Sequence, residues 1–280
     1  MIAYFNGDYL SFDEICISPG DRGFLFADGL YEVVRSYKGR LFRVKDHLDR
    51  LSYGAQSLGF RQTDFSFLEK AAVRLIRENG LEEADSIVYF QVTRGCAVKR
   101  THAFPDPVPD LTIFGRVSGL DTETLTKDMI YGVDIITIED MRGSICDIKT
   151  TGLLCNVLAS QQAKEHGVKE AVFVREDTVL EGTHSNFFAV INNTVVTPQL
   201  SRQILGGITR KVVLETCRNI GIPVQERTIQ RSELIIATEI FVTATSLQVT
   251  PVVSCDQNQV GKGRPGPITL QIQKLFEDEI

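Results

Sequence analysis

Lys149 is the first residue that could carry covalent chemistry. It stands in Asp147-Ile148-Lys149-Thr150-Thr151-Gly152, after a predicted strand and before a predicted helix. An ordinary lysine amine titrates at about 10.4. Beside a cationic group, in a partly apolar site, it is shifted down, which suits Schiff-base formation with a carbonyl. The bland alternative is a solvated surface lysine. Glu181 opens the second constellation, Glu181-Gly182-Thr183-His184-Ser185-Asn186. Its carboxylate could face a pyridine-type nitrogen and keep it protonated, so that the ring accepts electron density. An ordinary turn, with Ser185 and Asn186 bonding local backbone, is the alternative.

Three segments could hold an anion. Leu205-Gly206-Gly207-Ile208-Thr209-Arg210 enters a predicted helix through two glycines. The first N–H groups and the helix dipole there favour a phosphate. Phe241-Val242-Thr243-Ala244-Thr245-Ser246 places hydroxyls at a strand end, a weak signal because threonine is common in strands. In His47-Leu48-Asp49-Arg50-Leu51, the Arg50 guanidinium matches phosphate oxygens in a bidentate way. Finally, Arg94 to Pro105 is a basic loop in an acidic chain. Arg100 and His102 lie two apart, so in extended backbone both side chains point one way and could trap a carboxylate.

The whole composition restricts what these groups can serve. The chain has 280 residues, 43% of them hydrophobic, and a formal net charge of −6. That length supports one large domain or two modest ones with a real core. The charge disfavours nucleic acid, so any bound anion needs a local cluster of donors. Cys16, Cys96, Cys146, Cys155, Cys217 and Cys255 are scattered, with no metal-binding spacing. No apolar stretch approaches the roughly 20 residues that span a bilayer. The expectation is a soluble, cytoplasmic protein with reduced thiols and no metal.

The elements that must position these residues form an α+β pattern. Strands are expected at residues 2–5, 9–12, 30–37, 41–44, 86–93 and 111–117, with helical spacing around Leu48–Ala55 and Phe67–Ile76. After a short linker at 119–121, strands are expected at 130–138, 170–174, 186–190, 195–197, 239–245 and 249–253. Helices are expected at 153–165, 209–220 and 268–277. Two α+β domains follow, a smaller one at 1–118 and a larger one at 122–280 that carries Lys149.

Taken together, the ordered segments resemble the fold-type IV pyridoxal 5′-phosphate (PLP) enzymes. This group includes branched-chain aminotransferases, D-amino acid aminotransferases and aminodeoxychorismate lyases. The matching pieces include Asp21-Arg22-Gly23, Phe26-Ala27-Asp28-Gly29-Leu30-Tyr31-Glu32, His47-Leu48-Asp49-Arg50-Leu51, Lys149, Glu181-Gly182, Ser185-Asn186 and Gly207-Ile208-Thr209-Arg210. The resemblance implies PLP as cofactor, a Schiff base on Lys149, and Glu181 against the pyridine nitrogen. It implies Arg50, Thr245, Ile208 and Thr209 around the phosphate, Leu205 on the ring, and Ser185 and Asn186 beside them.

Within that group, Arg100-Thr101-His102-Ala103-Phe104-Pro105 resembles the D-amino acid enzymes. There an R-x-H loop reaches in from the other subunit of a homodimer and joins a tyrosine, matched here by Tyr31, to bind the substrate carboxylate. Lysine attacks from one face, so the side that holds the carboxylate selects the enantiomer. The implied reaction moves the amino group of a D-amino acid, such as D-alanine or D-glutamate, to a 2-oxo acid. A branched-chain L-aminotransferase, an aminodeoxychorismate lyase and a non-catalytic PLP-binding protein are the rivals. Four departures stand out: one extra residue between Gly95 and Arg100, Thr151-Gly152 after the lysine, His184 in place of a small residue, and Ala244 in place of a hydroxyl.

Overall fold

A computed structural model describes residues 1–280. The chain forms two units, one of Met1–Leu120 with Ile148–Leu153, the other of Asp121–Asp147 with Leu154–Ile280.

The first unit begins with β1 (Ile2–Phe5) and β2 (Asp8–Ser11), joined at Asn6-Gly7. Both turn residues have positive φ, 51° and 105°, which is why Asn-Gly suits this tight hairpin. A short helix α1 (Arg22–Phe26) leads into β3 (Gly29–Tyr37) and β4 (Arg40–Leu41). Helices α2 (Val44–Ser57) and α3 (Leu68–Glu78) precede β5 (Ser86–Thr93) and β6 (Thr112–Gly119). The six strands form an antiparallel sheet in the order β2-β1-β6-β5-β3-β4. Leu68, Ala71, Ala72, Leu75 and Ile76 recur at helical spacing and pack with Val88, Phe90 and Val117.

Residues 41–44 form no strand through Val44. Val44 starts α2 because positions 44, 48 and 51 share the helix face that joins the core. The boundary between the two units, Leu120/Asp121, falls inside the expected linker at 119–121, but these residues are not irregular coil. Gly119 is still paired with Ser86 in the sheet, and Asp121 caps the next helix by accepting from Thr124 N at 3.0 Å.

That helix, α4 (Thr122–Tyr131), opens the second unit and precedes β7 (Val133–Glu139). The strand expected from residue 130 therefore starts later, after Gly132 at φ 77°. Then come α5 (Leu154–Glu165), β8 (Glu170–Arg175), β9 (Thr178–Gly182), β10 (Asn186–Ile191) and β11 (Thr194–Thr197). Helix α6 (Ile208–Asn219) is followed by β12 (Val224–Glu226), β13 (Ile229–Gln230), β14 (Glu239–Ala244), β15 (Gln248–Cys255), β16 (Asn258–Gln259) and α7 (Pro267–Asp278). The sheet runs β12-β11-β10-β14-β15-β7-β8-β9-β13. A further pairing of Asn186 with Glu181 joins β10 to β9 and closes β10, β14, β15, β7, β8 and β9 into a ring. Strands β8, β10 and β14 are buried on both faces, which explains their unbroken apolar runs.

The segment with Lys149 belongs to the first unit, whereas the sequence placed it with the second. The reason is backbone pairing. Tyr31 N donates to Lys149 O at 3.0 Å and Thr151 N to Gly29 O at 3.0 Å, with a bridge between Leu30 and Thr150.

Candidate active site

In the first unit, the start of β3 and the returning Lys149 segment build one group. Lys149 Nζ lies 4.2 Å from the centre of the Tyr31 ring. Tyr31 in turn stacks on Tyr89 at 5.8 Å. Burial raises the Tyr89 phenol to about 12, with Tyr31 adding to the shift. The next residue, Glu32, points to the opposite face and is fully buried. Arg50 clasps it from α2 in a bidentate pair, Nε to Oε1 at 2.7 Å and Nη2 to Oε2 at 2.9 Å. His47, one helical turn earlier on α2, meets Oε2 through Nδ1 at 2.8 Å. Burial alone would raise the Glu32 carboxyl, but the Arg50 charge and the His47 contact outweigh it and hold it far below the usual range. Burial pushes His47 below its ordinary value, against the pull of Glu32, and the Arg50 and Lys149 charges add to that push. Arg50, which the sequence offered as a phosphate clamp, has its orientation fixed by this buried acid.

Arg100 and His102 are also brought together. The Arg100 guanidinium lies 4.7 Å from the Phe26 ring centre, and the His102 ring meets the same ring edge-on at 5.5 Å.

In the second unit, Glu181 and Asn186 face each other at the seam between β9 and β10. Glu181 Oε1 takes a bond from Arg142 Nη1 at 2.5 Å. Its Oε2 accepts from Leu205 N at 3.0 Å and from Asn186 Nδ2 at 3.3 Å. Asn186 Nδ2 also donates to Leu205 O at 2.8 Å, so one amide ties the seam to the Leu205 loop. Arg142 bridges onward to Asp140 at 2.9 Å, and Arg175 reaches the other Asp140 oxygen at 2.9 Å. Burial lowers Arg142, but Asp140 and Glu181 together hold it above its ordinary value.

Ser185 is directed elsewhere. Its hydroxyl donates to Glu170 at 2.9 Å, on the side away from Glu181. Glu170 is buried and also accepts from Thr183 N at 3.1 Å and Thr183 Oγ1 at 2.6 Å. Half-exposed His184 places Nδ1 3.1 Å from the same carboxylate.

Ile208 and Thr209 are the first two residues of α6, and no side chain caps the helix at Gly207. A Cβ on Gly207 would collide with Asn186 Oδ1, so only glycine lets the helix start this close to the seam. Thr243 Oγ1 is buried with no hydrogen-bond partner, on the β14 residue paired with Asn186. Thr245 follows the end of β14. Within the second unit, an acid at a sheet seam, a buried orphan hydroxyl and a helix N-terminus without a side-chain cap are groups of the kind that a phosphorylated pyridine requires, and within the first unit Lys149 is an amine of the kind that its aldehyde requires.

Glu32, His47, Arg142 and Glu170 were given no role by the sequence. An acid inside the apolar run from Leu30 to Val34 signals Glu32. Nothing in Glu139-Asp140-Met141-Arg142 distinguishes Arg142 from a surface arginine.

The amino-transferase class IV family matches residues 29–255. A D-alanine aminotransferase of Staphylococcus haemolyticus is 36% identical over 281 residues, covering 99% of this chain and 97% of that protein. The branched-chain amino acid aminotransferase of Escherichia coli superposes with a TM-score of 0.91 at 25% identity, covering 99% of this chain and 93% of its own. That of Thermobaculum terrenum, in its PLP-bound holo form, gives 0.82 at 26% identity, covering 99% of this chain and 92% of its own.

Proposed function

The chain belongs to the amino-transferase class IV family, and from that membership we propose that it is a D-amino acid transaminase with pyridoxal 5′-phosphate as cofactor. When bound, this cofactor carries the amino group between two substrates and takes up the electron pair left at the substrate Cα. Lys149 is the attachment residue, and its Nζ takes the proton from Cα of the amino donor and returns it on the reverse course. Glu181 holds a proton on the pyridine nitrogen, its carboxylate oriented by Arg142, Leu205 and Asn186. Arg50, Thr245 and the N–H groups of Ile208 and Thr209 hold the phosphate. Leu205 packs on the ring. Ser185 acts from behind the seam by fixing Glu170.

Tyr31, Arg100 and His102 bind the substrate carboxylate. The observation that carries the D-specific reading is the seating of Arg100 and His102 on the one Phe26 ring. It supports a single cationic and hydrogen-bonding patch, matched to a carboxylate. A branched-chain fold neighbour is also described in a PLP form, so the cofactor does not separate the two readings, and this patch does. The test is a coupled reaction of D-alanine with 2-oxoglutarate. Pyruvate and D-glutamate are the expected products, absent with Lys149→Ala; L-glutamate, or pyruvate released beyond one per active site without any 2-oxo acid, would contradict it.

A homodimer is the second part of the proposal. Phe24, Val98 and Phe104 stand exposed around the loop of Arg100 and His102, which supports a partner surface there. Sedimentation should give twice the 31.2 kDa of the chain, and a single-chain mass at micromolar concentration would refute the dimer. No helix is long and apolar enough to cross a membrane. A cytoplasmic setting agrees with six unpaired cysteines.

A further inference from the structure

The segment from Thr101 to Phe104 is gripped at four successive residues. Arg22 Nη1 donates to Thr101 O at 2.7 Å and to Ala103 O at 3.3 Å, and Arg22 Nη2 donates to His102 O at 3.2 Å. The Phe104 ring lies 3.7 Å from the Arg94 guanidinium. Both arginines turn their Nε to the same oxygen, Asp28 Oδ2, at 2.8 Å each. Arg94 is anchored further by Leu58 O at 2.9 Å and Gly59 O at 3.0 Å. Both guanidinium side chains are only 4% exposed.

The mount beneath Arg22 is equally fixed. Asp21 caps α1 by accepting from Gly23 N at 2.8 Å, while its other oxygen takes the hydroxyls of Thr93 at 2.8 Å and Thr112 at 2.6 Å. A Cβ on Gly23 would collide with the Thr93 methyl, so α1 lies directly against β5. Burial raises the Asp28 carboxyl, but Arg94 and Arg22 outweigh that and keep it below its usual range.

We propose that Arg22 is the positioning residue of the loop that receives the substrate carboxylate, with Asp28 and Arg94 locking it in place. This rests on the D-transaminase reading and deepens it. The planar guanidinium fork can serve three carbonyls and an acid together; a lysine ammonium has no such reach. The carbonyls belong to the residues on and beside His102, so Arg22 sets the direction in which Arg100 and His102 project. Ala97 N is tied to Gly20 O at 3.2 Å, and Val98 next to it is fully exposed.

The test compares the wild-type holoenzyme with Arg22→Lys, which keeps the charge opposite Asp28, and with Phe104→Ala, which loosens the other grip without touching Asp28. Two readouts are taken: steady-state kinetics with D-alanine, and hydrogen exchange of the peptide covering residues 97–105. In both variants KM for D-alanine should rise about tenfold while kcat stays within about twofold. Exchange in the loop should quicken, and bound PLP per chain should be unchanged. A parallel loss of kcat and cofactor would mark Arg22 as merely structural and overturn the proposal. Unchanged exchange in the loop would overturn the clamp while leaving the D-specific reading intact. Faster exchange with an unchanged KM would overturn both, since the loop would then not receive the carboxylate.

Discussion

Arg142 and Glu181 meet at 2.5 Å, each less than a tenth exposed, and the pair has few routes to water. Removing one partner of a buried pair leaves the other charge uncompensated, at about 3–5 kcal/mol. Asp140 would keep Arg175, so most of that cost falls on Glu181. Arg142→Met should therefore lower the unfolding free energy by about 3 kcal/mol and weaken PLP retention. Urea denaturation and cofactor content by absorbance check both; a loss under about 1 kcal/mol, as for exposed pairs, would show that Glu181 does not depend on Arg142. At this scale the sequence displays the proposed reactive groups and hides their partners. Lys149, Glu181 and the R-x-H pair lie in short motifs. Arg142 and Glu170 reach their targets across 39 and 13–15 residues of chain, through a fold that no local pattern reports.

At the scale of elements, the long strands and the amphipathic helices are legible because burial imposes a period. β5 matches its expected span, and its inward positions alternate. Helix α3 shows its buried stripe in the spacing of Leu68, Ala71, Leu75 and Ile76. Helix α4 was missed because Leu125 is its only buried residue, so no stripe marks it. Strand β9 was missed for a different reason: it is held by neighbours on both sides, and its residues are buried at four successive positions. That pattern has no period to read. Its last residues matter most for chemistry, because the Glu181–Asn186 seam is where β9 meets β10. The glycines at 206 and 207 were read correctly as an open helix entry, and the uncapped start of α6 follows from them. The structure adds that Gly207 also clears Asn186.

For the whole molecule, the sequence order anticipates two α+β units but not the return of Ile148–Leu153 to the first. That return depends on backbone bonds from Tyr31 and Thr151, which side-chain periodicity cannot announce. It also means that Lys149 shares a unit with Tyr31, Arg50, Arg100 and His102. Glu181, Leu205, Ile208, Thr209 and Thr245 belong to the second unit. The central claim is that these groups serve a transaminase whose donors are D-amino acids. One measurement addresses it most directly: the absorption spectrum of the purified holoprotein in a single turnover, with D-alanine or L-leucine added to separate samples and no amino acceptor present. The account predicts that D-alanine alone removes the visible band of the lysine-bound cofactor and yields its pyridoxamine form, with release of pyruvate. Loss of the band with L-leucine alone would contradict it.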